Sequence, residues 1–211
     1  MNFRNYVWLA PFLLTSALFA QAIDTPFQVR YASNLQLGDS YINITNTGAS
    51  STVGFPTLNG NICVNVYAFS PDEQLVSCCS CVVTPNGLAS LSTINDLISN
   101  TLTPGVPTSI VIKLLATSGG TSAAGATTCD PGTAGGAGNV LTTGMLAWGT
   151  TLHRAPAPLN MFGTETAFSP ATLSGTELIR VTRLCGFIQA VGSGFGICRS
   201  CRLGGLGSAK Q

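Results

Sequence analysis

Over most of its length this chain alternates apolar and polar residues in short runs, the period of a half-buried β-strand. Phe27-Gln28-Val29-Arg30-Tyr31 does so, as does Tyr41-Ile42-Asn43-Ile44-Thr45, which stops at the turn signal Asn46-Thr47-Gly48. ICVNVYAF at 62–69 and LVSCCSCVV at 75–83 flank Ser70-Pro71-Asp72-Glu73-Gln74, which reads as a five-residue hairpin loop. With Asp72 at its centre, Ile62, Val64, Val66 and Ala68 share a core face with Val76, Cys78 and Val82. That register sets Cys63 opposite Cys81 on the other face, within reach of a disulfide. Further strands are expected at 109–116 (SIVIKLLA) and 141–152 (LTTGMLAWGTTL). Between them, 119–139 is rich in Gly, Ala, Ser and Thr and reads as a mobile loop pinned only at Cys129.

One segment has helical spacing instead. Leu178, Val181, Leu184, Cys185, Ile188 and Val191 recur at intervals of three and four, with Arg180 and Arg183 off the stripe. Ser174 and Glu177 fit a capping box and Gly192 is a natural stop, so the pattern predicts an amphipathic helix at about 175–191.

The beginning of the chain is different again. Arg4 precedes an apolar run from Tyr6 to Phe19, and Ala20-Gln21-Ala22 carries small residues where a signal peptidase reads them. Crossing a bilayer takes about 20 apolar residues, and this shorter run also holds Pro11. Residues 1–22 therefore read as a secretory signal peptide, and 23–211 as a single secreted β-rich domain with a Cys-containing C-terminal segment. No membrane span is expected later, since the best candidate, Ile110-Val111-Ile112, is interrupted by Lys113. The fold class expected is mainly β: an antiparallel, immunoglobulin-like β-sandwich with one C-terminal amphipathic helix, stabilised by disulfides.

Charge narrows the partners. The chain holds 9 basic and 8 acidic residues. Removal of 1–22 takes away Arg4 alone and leaves no net charge, so nothing favours binding nucleic acid. Charged residues are 8% of the chain, against about a quarter in ordinary domains. A surface built from Thr, Ser, Asn and Gly repels its own copies weakly, which favours a homo-oligomer or fibre.

The eight cysteines are Cys63, Cys78, Cys79, Cys81, Cys129, Cys185, Cys198 and Cys201. An even count in an exported chain points to structural disulfides. Two rivals share the spacing. Cys78-x-x-Cys81 and Cys198-x-x-Cys201 resemble halves of a zinc site, and Arg199 and Arg202 beside the second pair suit a thiol redox motif. Along an extended strand, however, Cys78 and Cys81 point to opposite faces about 10 Å apart, too far for one ion.

Catalytic constellations do not emerge. His153 is the single histidine and has no partner that spacing can name. Asp72-Glu73 is the one close acidic pair and sits in the expected hairpin loop. Gly192-Ser193-Gly194-Phe195-Gly196 follows a helix, so it fits neither a nucleotide loop nor a nucleophile elbow. No enzyme and no cofactor are expected.

CVNVYAFSPDEQLVSCCSCVVTPNGL at 63–88, LCGFIQAVGSGFGICRSCRLGGLG at 184–207 and SPATLSGTEL before the helix together resemble a family of secreted soil-bacterial proteins with CCSC and GFGICRSC cysteine clusters. The resemblance implies export and a role for both clusters, and brings no activity with it. The leading expectation is a non-enzymatic structural domain, secreted to the extracellular space, cell surface or periplasm, and acting as a self-assembling matrix or fibre subunit. The alternatives are a periplasmic Cys-based metal or redox protein, and a carbohydrate- or peptide-binding sandwich using Trp148 and Tyr67 as stacking residues.

Overall fold

The computed structural model describes residues 24–50, 60–99, 105, 107–123, 125–191 and 196–202. The expected signal peptide lies outside them. Its strands are β1 (Phe27–Ala32), β2 (Tyr41–Asn46), β3 (Ile62–Phe69), β4 (Leu75–Val83), β5 (Leu88–Ser92), β6 (Ile110–Thr117), β7 (Gly120–Thr121), β8 (Thr127–Thr128), β9 (Met145–Arg154), β10 (Met161–Ala167), β11 (Ser169–Pro170) and β12 (Gly196–Ile197). The helices are α1 (Gly175–Ala190) and α2 (Arg199–Arg202), with a π-helical turn at Thr93–Ile98. One sheet runs β11-β1-β6-β3-β4-β12 and a second runs β10-β9-β2-β5. They pack face to face as an antiparallel β-sandwich, with only β12 added in parallel, beside β4.

Burial follows position. In the four-stranded sheet β2 alternates exposed or half-buried with buried residues, because one face meets the core and the other meets solvent. In the six-stranded sheet β3 is buried at every position. Its inner face, with Ile62, Val64, Val66 and Ala68, meets Ile42, Ile44, Leu91, Met145 and Ala147 of the other sheet. Its outer face, with Tyr67 and Phe69, is covered by Val181, Cys185 and Ile188 of α1. The apolar stripe on α1 thus makes a third layer. The Ser174 hydroxyl caps α1 by accepting from the Glu177 N–H at 3.1 Å. The Glu177 carboxylate pairs with Lys113 of β6, binding the first turn to the sheet.

The architecture is shared with immunoglobulin-like sandwiches, while the strand order is its own. In immunoglobulin sheets the first two strands are neighbours. Here β1 lies beside β6, and β2 lies between β9 and β5.

One expectation is corrected. The 119–139 segment is held at more than Cys129: β7 pairs with β8, Ala134 is buried against the helix-side core, and the buried Tyr67 hydroxyl donates to the Pro131 carbonyl at 2.7 Å. Burial, and secondarily the Asp130 carboxylate, push the Tyr67 phenol well above its ordinary pKa. Tyr67→Phe leaves a buried carbonyl without its donor, so it is expected to lower unfolding free energy by about 1–2 kcal/mol in urea melts. An unchanged midpoint would count against this anchor.

β1 shows the expected alternation, and its polar face turns into the sandwich. Phe27 and Val29 lie on the helix side, while Gln28 and Arg30 enter the sandwich. Gln28 donates to the Met145 carbonyl at 2.8 Å, and Arg30 donates to the Thr151 hydroxyl at 2.7 Å and the Thr150 carbonyl at 3.3 Å. Desolvation lowers the Arg30 pKa and Glu165 partly offsets this. Gly149 makes room, since a Cβ there would lie 2.1 Å from the guanidinium.

Candidate functional site

The cysteines converge on β4. Leu75–Val83 runs between the two cores, and alternation sends its side chains to opposite sides. Cys78 points to the helix layer and bonds Cys185 of α1, with Cα atoms 5.7 Å apart. Cys79 and Cys81 point into the sandwich and bond Cys198 and Cys201, at Cα separations of 4.9 and 5.5 Å. The fourth bond joins Cys63 of β3 to Cys129, at 5.5 Å. Gly119 lies over it with φ of +70°, where a Cβ would come within 2.6 Å of the Cys63 sulfur.

The expected Cys63–Cys81 bond does not form. Its loop geometry was sound, for Phe69 pairs with Leu75 about a centre at Asp72. One residue on, Ala68 pairs with Ser77, so Val76 is an inserted residue: a β-bulge. The bulge shifts the rest of the hairpin by one, setting Cys63 opposite Val82 and Val64 opposite Cys81. The faces change with it. Val76 stays on the sandwich side as expected, but Cys78 turns to the helix layer, and Cys79, Cys81 and Val83 take the core face.

A buried carboxylate fastens the C-terminal end of this array. Asp96, in the turn after β5, is 3% exposed. It accepts from the Ser92 N–H, the Ser200 N–H and the Ser200 hydroxyl, each at 2.8 Å. Ser200 sits in α2 between Cys198 and Cys201, so Asp96 holds the short helix in place while Cys198 just before it and Cys201 within it bond β4. Sequence reading passed over Asp96 as one of several scattered acids. Its only local signal was Ser92, whose hydroxyl accepts from the Asn95 N–H at 2.8 Å and so caps the turn.

The remaining named residues do not gather. His153 lies on β9, with Nε2 2.9 Å from the Thr164 hydroxyl and its ring stacked on Phe162. Asp72 is exposed in the hairpin loop, and the Ser70 hydroxyl, by donating to it, holds its carboxyl below the ordinary range. Glu73 beside it takes a left-handed conformation with φ of 64°. Arg199 donates to the Ser99 carbonyl at 3.1 Å. Residues 192–195 lie outside the described residues. Tyr67 is fully buried and cannot stack on a ligand, which removes it from the carbohydrate reading. Trp148 is half-buried on the outer face of the four-stranded sheet, paired across the strands with Asn43. Asn43 accepts from Ser90 at 2.7 Å and donates to Glu165 at 2.8 Å.

All eight cysteines are engaged with one another. Cys198 and Cys201 bond β4 rather than each other, so the CRSC spacing serves two anchors and not one dithiol. Among the described residues no group of three or more His, Cys, Asp or Glu is placed to hold a metal ion. No described helix is long and apolar enough to cross a membrane. Family models, curated proteins and solved structures offer no match to this chain.

Proposed function

We propose that this chain is an exported, non-enzymatic structural domain of the cell surface or extracellular matrix, and that it assembles with its own copies. The disulfide array is the observation that carries this reading. Each bond joins residues 66 to 120 positions apart, and three of them tie the C-terminal third to the single strand β4. Such bonds form and persist in oxidising compartments. They suit a domain that must endure outside the cell with few charges and no chaperones. The signal-peptide pattern at 1–22 and the resemblance to a family of secreted soil-bacterial proteins favour the same compartment. A neutral surface rich in Thr, Ser and Gly favours association.

Mass spectrometry of the exported protein tests the compartment. The expected N-terminus is Ile23, or a neighbour trimmed from it, and no thiol should react with an alkylating reagent before reduction. Recovery of Met1 in the exported form, or of alkylated cysteines in the folded protein, would overturn the reading.

A further inference from the structure

The four edges of the two packed sheets are not treated alike. The six-stranded sheet ends in two-residue strands on both sides, and β11 includes Pro170, which has no N–H to offer. At one end of the four-stranded sheet, α2 packs against β5. These are the usual means by which a protein blunts an edge. The other end, β10, has none of them among the described residues. Seven residues long, MFGTETA contains no proline and no lysine or arginine, and six of its seven residues are exposed. Leu159 just before it and Met161 and Phe162 within it are exposed apolar side chains.

We propose that β10 is a self-association edge, along which two copies of this chain pair antiparallel about a two-fold axis at Thr164. This inference rests on the assembly reading above and names its contact. The backbone phase fixes which groups are free. Ala155 N–H donates to Asn160, and Phe168 N–H to Ala147, so hydrogen-bonded pairs fall on Phe162, Thr164 and Thr166. The backbone groups that face the open edge therefore belong to Met161, Gly163, Glu165 and Ala167, with the Met161 N–H turned back to the Leu159 carbonyl at 2.6 Å, so that Met161 offers its C=O. A second copy must bond to those four, which leaves few registers. Pairing Glu165 with Glu165 of the second copy opposes like charges, and shifting toward Met161 shortens the ladder. The register centred on Thr164 uses all seven residues. It sets Met161 against Ala167, Gly163 against Glu165 and Phe162 against Thr166, an aromatic–β-branched cross-strand pair. In this register the strand meets itself with its one charge, Glu165, opposite a glycine and its one aromatic ring opposite a threonine. Because the contact is isologous it closes at two copies, joining two four-stranded sheets into one continuous sheet.

Gly163 supplies a register-specific test. A Cβ there would meet Thr150 at 3.4 Å, an ordinary contact, and its φ is not in the left-handed region. Gly163→Glu places a carboxylate against Glu165 of the second copy, whereas Gly163→Lys places a cation there. Sedimentation velocity on the oxidised exported protein should show a concentration-dependent dimer for wild type. Dimer affinity should fall roughly tenfold or more in Gly163→Glu and be kept or raised in Gly163→Lys, with circular dichroism unchanged in both. Equal loss in the two variants, or no loss in Gly163→Glu, would overturn the pairing while leaving association by another surface standing. A strictly monomeric wild type would overturn both this edge and the assembly reading. A monomer that captures an extended peptide along β10 would make it a site for a foreign strand and overturn self-pairing.

Discussion

Reduction of all four disulfides is expected to unfold the protein, yet the bonds should contribute unequally, and the two spanning most sequence should matter least when removed singly. In the loop-entropy model a bond closing a ring of about 100 residues stabilises by about 4.7 kcal/mol. Cys78–Cys185, Cys79–Cys198 and Cys81–Cys201 span 107, 119 and 120 residues but lie side by side. Once one is closed, the next closes only a short ring: roughly 15 residues beside Cys78–Cys185, worth about 3 kcal/mol, and roughly 5 between Cys79–Cys198 and Cys81–Cys201, worth about 2 kcal/mol. Cys63–Cys129 has no such parallel neighbour and keeps its own 66-residue ring, worth about 4 kcal/mol. The four together supply on the order of 10 kcal/mol, comparable with the whole stability of a domain this size.

Paired Cys→Ala variants measured by urea unfolding should therefore rank Cys63–Cys129 as the costliest loss, then Cys78–Cys185, then the other two. Full reduction should abolish near-ultraviolet circular dichroism. A reduced protein that keeps its cooperative transition would show that the packed layers suffice alone, and equal costs for all four bonds would refute the nested-ring argument.

Asp96→Ala is expected to lower unfolding free energy by about 3 kcal/mol, the second largest effect among these predictions. The substitution strands three donors around a buried site, and each unsatisfied buried group costs about 1–3 kcal/mol. The Ser200 hydroxyl can turn away, which holds the total near the lower end. Asp96→Asn should fall between wild type and Asp96→Ala, because the amide keeps the shape and one acceptor but turns an N–H₂ toward a donor. Hydrogen exchange should localise the loosening to 93–98 and to α2. An Asp96→Ala protein within 0.5 kcal/mol of wild type would mean that the flanking disulfides alone hold α2.

What the chain's own order of residues determined is local, and what it left open is distant. Alternation located β3 and β4 to the residue, and 3.6-residue spacing with Ser174 located α1, because those patterns depend on neighbours two to four positions apart. Alternation also set Cys78 and Cys81 on opposite faces, which the structure bears out by sending them to different layers. The side each face meets is another matter. β1 has the period of a half-buried strand, yet its polar face turns inward, because Gln28 and Arg30 find carbonyls and hydroxyls on β9 and β10 that no local pattern announces. The Val76 bulge is equally silent in sequence. One inserted residue moved Cys63 off Cys81, since a register with period two reverses its faces on a single step. Disulfide partners then followed from which strands became neighbours, and Asp96 became a clamp because β5 and the C-terminal cysteines were brought together. Those meetings join residues about a hundred positions apart. They are set by how two sheets and a helix bury their apolar faces at once, a condition on the whole molecule that no window of sequence contains.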